Sequence, residues 1–324
     1  MAVIKDVANK AGVSAGTVSK YLKDPDLVKE KNRINIENAI RELDYVPDIL
    51  ARSMRTGKTN ILAIVAPDII NPFYAQVYDT LRLEALREGY SSILYTAKDD
   101  PAVYGTRLKN HILKMTDGVI LCFPDEEYDP SSYTDKDTNA VNITWDINDR
   151  RYPSVAINVS EGMYMMASHL ICKGYKKIGY ISGRINSRIS KAKFSGFQRA
   201  VTGNDLDFQN EWFSQGDYTL DTGYRCAEQI LNRNNKPDAL VCANDMLALG
   251  CLHYALENGI KVPNELAVSG FDDIAFARMS FPTLTSVRIP VDVLAREAIR
   301  LILKKGEANA HIAEPLTIIE RSST

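Results

Sequence analysis

The chain opens on Val3-Ile4-Lys5-Asp6-Val7-Ala8-Asn9-Lys10-Ala11-Gly12-Val13-Ser14-Ala15-Gly16-Thr17-Val18-Ser19-Lys20-Tyr21-Leu22. Ile4, Val7, Ala8 and Ala11 recur at i, i+3, i+4 and i+7, which puts them on one apolar face of a helix. Gly12 ends that helix, because glycine takes the left-handed conformation of a tight C-terminal turn at little cost. Val13 can fill the corner that follows. Ser14 is a good N-cap, its hydroxyl accepting from a backbone N–H two or three residues on, so a second helix is predicted over 15–22. Two short helices joined by such a turn have the layout of a DNA-reading helix-turn-helix, whose second helix enters the major groove by its N-terminal residues.

The second helix has the composition for that role. Ala15 and Gly16 are small and let it approach base edges. Thr17 and Ser19 can bond phosphates or bases, and Lys20 can reach a guanine or a phosphate. With Ser14 and Asn32 these are the candidate DNA contacts of the first segment. The bland alternative is a helical hairpin in an ordinary core. A third helix, over 32–44, carries Ile36, Ala39, Ile40 and Leu43 on one face and can bury the first two; Pro47 stops it. Residues 47–57 then begin with Pro47 and end with Gly57, the punctuation of a short helix. About nine residues cannot hold a free helix in water, so this segment needs a partner. Met54 and Arg55, one apolar and one basic, point to DNA.

Val3-Ile4-Lys5-Asp6-Val7-Ala8, Ala11-Gly12-Val13-Ser14, Thr17-Val18-Ser19 and Leu50-Ala51-Arg52-Ser53 resemble the headpiece of the lactose-repressor (LacI–GalR) family of bacterial transcription regulators, and the likeness runs on through the rest of the chain. The resemblance implies a homodimer with two recognition helices in successive major grooves and paired hinge helices wedged into the minor groove between them. It also implies a body similar to periplasmic sugar-binding proteins: two lobes, three chain crossings and a ligand in the cleft, with crossings expected near Asn158, Ser286 and Glu320. The expected division is a headpiece over 1–46, a hinge helix and linker over 47–60, and a two-lobed effector-binding and dimerisation domain over 61–324.

The residues of the body agree with a doubly wound α/β architecture. Ile61 to Ala66 is a short apolar run of the kind found in buried parallel strands. Strands over 91–95, 118–121, 141–145, 177–181 and 239–242 alternate with helices over 73–88, 101–115, 160–173, 191–201, 220–231 and 245–257. Such alternation builds parallel sheets, and the stretch is too long for one of them. Ligands of such sheets bind beyond the C-terminal ends of strands. The residues just after each strand are Phe73 and Tyr74, Asp146, Arg188 and Lys193, Tyr218, Asn244 and Asp245, and Asp272. Rings that stack on sugar faces, with acids and amides for hydroxyls, suit a polyhydroxylated effector. Each has a plainer reading: Phe73 as core, Asn244 and Asp245 as helix caps, Lys193 as a solvated helix face, Asp272 as a structural acid. Their match to the family's effector positions is what singles them out. Lys193 and Lys20 stand where family members carry Arg, and lysine lacks the bidentate fork of arginine. Met54 replaces the usual hinge Leu and remains an apolar wedge.

Composition bounds the rest. A chain of 324 residues suits two or three domains. The net charge is only −2, but residues 1–57 hold ten Lys and Arg against eight Asp and Glu, the right direction for a DNA-facing headpiece. No apolar run approaches the ~20 residues of a membrane span, and Lys5 and Asp6 stand where a signal peptide needs apolar residues, so a cytoplasmic location is expected. Cys122, Cys172, Cys226, Cys242 and Cys251 form no CxxC pair and read as free thiols.

Two other function classes are weaker. For an enzyme, the doublets Asp99-Asp100 and Glu126-Glu127 fall in solvated loops, and Asp272-Asp273 joins the effector set. The four histidines lack metal spacing. Gly57-Lys58-Thr59 mimics a phosphate loop but has Arg52 where glycine is required. A transport binding protein would not carry the headpiece. The expectation is a homodimeric, sequence-specific DNA-binding repressor without cofactor, metal or catalytic residue, gated by a sugar or sugar phosphate acting as inducer or corepressor. Some relatives answer instead to a phosphorylated carrier protein, and that mode stays open.

Overall fold

The structure is a computed structural model that describes residues 2–46, 57–96, 109–122, 134–135, 137–145, 152–184, 187–304 and 311–324. The hinge prediction with Met54 and Arg55, most of the predicted helix over 101–115, and Asp146 lie outside the described residues. Two compact units emerge, Met1–Thr59 and Asn60–Thr324.

The first unit is three helices, α1 (Ile4–Ala11), α2 (Ala15–Lys23) and α3 (Glu30–Glu42). The Asp6 carboxylate accepts from the Val3 N–H at 2.8 Å and closes the start of α1. Gly12, at φ 66°, ends it in the left-handed conformation, its N–H reaching the Ala8 and Asn9 carbonyls. Ser14 Oγ then accepts from the Thr17 N–H at 3.1 Å to start α2. Val7, Ala8, Ala11, Val18, Ile36, Ala39 and Tyr45 form the small shared core. Lys10 and Glu42 tie α1 to α3 by a 2.5 Å ion pair.

The second unit holds two six-stranded sheets. The first lobe contains β1 (Ile61–Ala66), α4 (Pro72–Arg87), β2 (Ser91–Thr96), β3 (Gly118–Cys122), β4 (Ala140–Thr144) and β5 (Ser154–Ile157). The chain crosses at Asn158, the N-cap of α5 (Val159–Cys172). The second lobe follows with β6 (Ile178–Ser182), α6 (Arg188–Gly203), β7 (Phe213–Gln215), α7 (Leu220–Leu231), β8 (Ala239–Cys242), α8 (Asp245–Glu257), β9 (Ala267–Asp272) and β10 (Thr285–Arg288). After β10 the chain returns to the first lobe as α9 (Val291–Leu303), packed on α4, and β11 (His311–Glu314), paired with β5. A third crossing leads to β12 (Thr317–Ile319), antiparallel to β10. The second crossing thus falls after β10, the strand that holds Ser286, and the third between β11 and β12, a few residues before Glu320, which follows β12.

Sheet order is β11-β5-β4-β3-β1-β2 in the first lobe and β12-β10-β9-β8-β6-β7 in the second, and among the described residues every strand pairing except β10 with β12 is parallel, as crossover helices require. Strands β1, β3, β4, β6, β8 and β9 are buried almost throughout, which is why they read as apolar runs. The five cysteines are free thiols; Cys242 and Cys251 lie with sulfurs 3.6 Å apart in the core, and Cys172 is exposed.

Candidate functional site

In the first unit, α2 presents its N-terminal half outward. Ser14, Gly16 and Lys20 are exposed, while Ala15, Thr17 and Ser19 are half-buried and Val18 alone is sealed in the core. The Ser14 and Thr17 hydroxyls lie 2.9 Å apart, so both line the start of the helix. Asn32 is half-buried in the first turn of α3.

In the second unit the strand-end residues converge. Lys193, on α6, is 2% exposed. Its Nζ donates to the Ala243 carbonyl at 2.7 Å and stands 4.0 Å from the centre of the Phe271 ring, 5.9 Å from Tyr218 and 5.6 Å from Trp145. Trp145 follows β4 of the first lobe, so this ammonium bridges the strand ends of both lobes. Burial lowers the Lys193 pKa to about 8, against the pull of the Asp272 and Asp245 carboxylates. Asp272, at the end of β9, is pushed up to about 7 by burial, with Lys193 acting the other way. Its carboxylate accepts no hydrogen bond among the described residues.

Two residues here hold unusual backbone. Asp272 has φ 114° and Tyr218 φ 70°, a region that costs a non-glycine residue about 1–3 kcal/mol and recurs at ligand sites. Tyr218 is kept there by its hydroxyl on Ser190 Oγ at 2.6 Å and by Asn244 Nδ2 donating to its carbonyl at 3.2 Å. Its ring lies over Gly183, where a Cβ would come within 1.9 Å.

The other expected residues divide. Phe73 is core, packed edge-on against Tyr74 at 5.4 Å and tilted against Trp145 at 5.9 Å; Tyr74 is the half-buried ring of the pair. Arg188 is exposed in the first turn of α6, which is capped by Ser187 and is longer than its apolar spacing indicated. Asn244 is the N-cap of α8, accepting from the Leu247 N–H at 2.9 Å. Asp245 departs from the expectation that it faces the cleft. It is fully buried, Oδ1 accepting from Ser286 Oγ at 2.5 Å and Oδ2 from the Ile274 N–H at 2.8 Å. Burial, with Asp272 adding to it, raises Asp245 well above the usual carboxylate range. Only glycine at position 270 leaves it room, since a Cβ there would lie 2.1 Å from Oδ1. Trp145, Ser190 and Phe271 belong to the site and are not among the residues singled out from the sequence; β4 ends at Thr144, so Trp145 stands just past the strand and not inside it as predicted.

A helix-turn-helix unit and a two-lobed α/β body with a charged, aromatic-lined junction between its strand ends define a ligand-responsive DNA-binding regulator. Comparison with known proteins says the same. Residues 3–48 match the model for bacterial regulatory proteins of the lacI family, and residues 167–324 that for a periplasmic binding protein-like domain. The HTH-type transcriptional repressor PurR of Mannheimia succiniciproducens is 31% identical over 318 residues, 94% of this chain and 92% of that one. PurR of Pectobacterium atrosepticum is 31% identical over 335 residues, covering 100% of this chain and 97% of its own. Among solved structures, a complex of the transcriptional regulator CelR with cellobiose aligns over 100% of both chains at 25% identity and a TM-score of 0.74. The lac repressor dimer bound to operator and an anti-inducer aligns over 100% of this chain and 99% of its own at 23% identity and a TM-score of 0.85, which speaks to the fold. The chain belongs to the lacI family of bacterial regulatory proteins. It is a DNA-binding transcriptional repressor under small-molecule control. No helix among the described residues is long and apolar enough to cross a membrane.

Proposed function

We propose that the junction between the lobes takes an uncharged, polyhydroxylated ligand of the sugar class, and that this ligand sets the affinity of a homodimer for operator DNA. The observation that carries the ligand half is Asp272, a buried carboxylate at a strand end without a hydrogen bond among the described residues. Such a group is costly to bury bare, and sugar hydroxyls would give it charge-assisted bonds. The Lys193 ammonium adds donors, and Tyr74, Trp145 and Tyr218 offer ring faces. Asp272 beside Lys193 offsets the ammonium charge, which disfavours a phosphate on the buried floor. The CelR–cellobiose complex favours the same class.

On the DNA side we assign contacts to Ser14, Ala15, Gly16, Thr17, Ser19, Lys20 and Asn32, with Met54 and Arg55 in the hinge. Asp146 is a further candidate for the ligand; Asp245 acts on the ligand only through Asp272. The protein is read as a binding protein without catalysis, working in the cytoplasm where its DNA is. A thermal-shift series with glucose, cellobiose, glucose 6-phosphate and hypoxanthine tests the ligand class, because a ligand of the native state alone raises the melting temperature by mass action. A neutral sugar should raise it and should change operator affinity in fluorescence anisotropy. A rise confined to the phosphate or the base overturns the sugar reading.

A further inference from the structure

Beyond the residues that touch the ligand, the turn after β9 is held by an arrangement of its own. Asp272 at φ 114° is followed by Asp273 at φ 55°. Two successive non-glycine residues in positive φ persist only where the surroundings over-determine them. Asp273 supplies that restraint. Its Oδ2 accepts from Arg288 Nε at 2.6 Å and its Oδ1 from Arg321 Nη2 at 2.6 Å. Its own N–H donates to Ser286 Oγ at 3.0 Å, the hydroxyl that also donates to Asp245. Arg321 is in turn fixed by Nη1 on the Leu284 carbonyl at 2.5 Å and by its backbone N–H on Thr285 Oγ1 at 2.9 Å.

We propose that Asp273, clamped between Arg288 and Arg321, is the positioning residue that holds Asp272 in the cleft. The proposal rests on the reading of Asp272 as an effector contact. A stability role alone explains the arrangement poorly, because neither a half-exposed pair such as Arg288–Asp273 nor a buried one such as Arg321–Asp273 returns much net stability compared with apolar packing. What two fixed arginines on one carboxylate supply is geometry. Arg288 is the last residue of β10 and pairs in register with Thr317, the first of β12. Both strands adjoin lobe crossings, so the clamp joins the ligand carboxylate to the segments that lobe movement would displace.

The test needs no ligand, because Lys193 senses Asp272. In full-length protein with labelled lysine, the Lys193 side-chain signal is assigned by its loss in Lys193→Arg and titrated by NMR. The parent should titrate near 8. Asp272→Asn should lower the midpoint by removing the carboxylate that raises it. Asp273→Asn should also lower it, and Arg288→Gln should do so more weakly. Arg288 is half-exposed, so this last variant leaves no sealed bare charge and keeps the test alive if Asp273→Asn fails to fold. Loss of stability without displacement of Asp272 would not move the midpoint. If Asp272→Asn lowers it and the folded clamp variants titrate like the parent, the positioning role is overturned. If Asp272→Asn itself has no effect, the Lys193–Asp272 pairing behind the ligand reading falls instead.

Discussion

At position 193 this chain has lysine where the resemblance to the lactose-repressor family implies arginine, and a lysine changes the chemistry of the cleft. Arginine keeps its charge at any accessible pH, whereas a buried lysine does not. Burial brings Lys193 down to about 8 and Asp272 up to about 7; as neighbours they titrate as a pair. Below about 7 the carboxylate takes a proton and loses its charge-assisted bonds; above about 8 the ammonium gives one up. Affinity for a neutral sugar should therefore rise as pH climbs through about 7 and fall again as it passes about 8, measured by calorimetry across that range. Lys193→Arg should abolish the alkaline fall and keep the acid limb; an unchanged alkaline limb would remove Lys193 from the site. The strand-end rule brought Lys193, Tyr218, Asn244 and Asp272 into view from sequence. It could not separate Asp272 from Asp245, because that difference lies in where Ser286 and the Ile274 N–H fall. Nor could it give Asp273 a role, since its partners are fifteen and 48 residues away.

Among the elements, α7 and α8 pack at a distance set by glycine. A Cβ on Gly223 would lie 2.2 Å from the Leu247 carbonyl oxygen, and one on Gly250 2.1 Å from that of Leu220. These are backbone atoms that cannot rotate away, so even one methyl group pushes the helices apart. Gly250→Ala should destabilise the second unit by about 1–3 kcal/mol, the usual cost of overpacking a filled core, despite alanine's better helix propensity. Urea unfolding checks it, and a midpoint equal to or above the parent's would show that the helices yield. The long, strongly periodic elements were legible. The helix α9 carries the same periodicity, with Val291, Leu294, Ala295, Ala298, Ile299 and Ile302 all buried on one face, although it is not among the helices predicted from the sequence. β7 and β12 have three residues each, too few for alternation to show. β10 is buried through Thr285 and Ser286, polar residues that break the apolar run and are satisfied by Ser323, Thr324 and Asp245 from elsewhere in the chain.

Across the whole molecule the question is how a ligand at the cleft reaches DNA, and the chain leaving β9 offers a route. From Asp272 it passes through Ile274, whose N–H is fixed on Asp245, into the short helical turn Ala275–Arg278. Around that turn Phe276, Met279 and Phe281 are exposed, Phe281 to 87%. Large apolar groups clustered on a surface mark a seat for a partner, and the homodimer proposed above makes a second copy that partner. Ligand contact and copy contact would then be joined by one stiff turn, so that a ligand preferring one arrangement of the turn shifts the dimer toward it. Two headpieces on one operator bind far more tightly than one, because the second contact is made at high effective concentration. Phe281→Asp should therefore shift the protein toward monomer in analytical ultracentrifugation and weaken operator binding by at least tenfold, while ligand affinity per chain stays close to the parent's. Phe281 is nearly all exposed and makes little core contact, so the fold should tolerate the change, and an unchanged circular dichroism spectrum confirms that it does. A folded Phe281→Asp protein that sediments as the parent does, and binds operator as tightly, would place the copy contact elsewhere on the molecule.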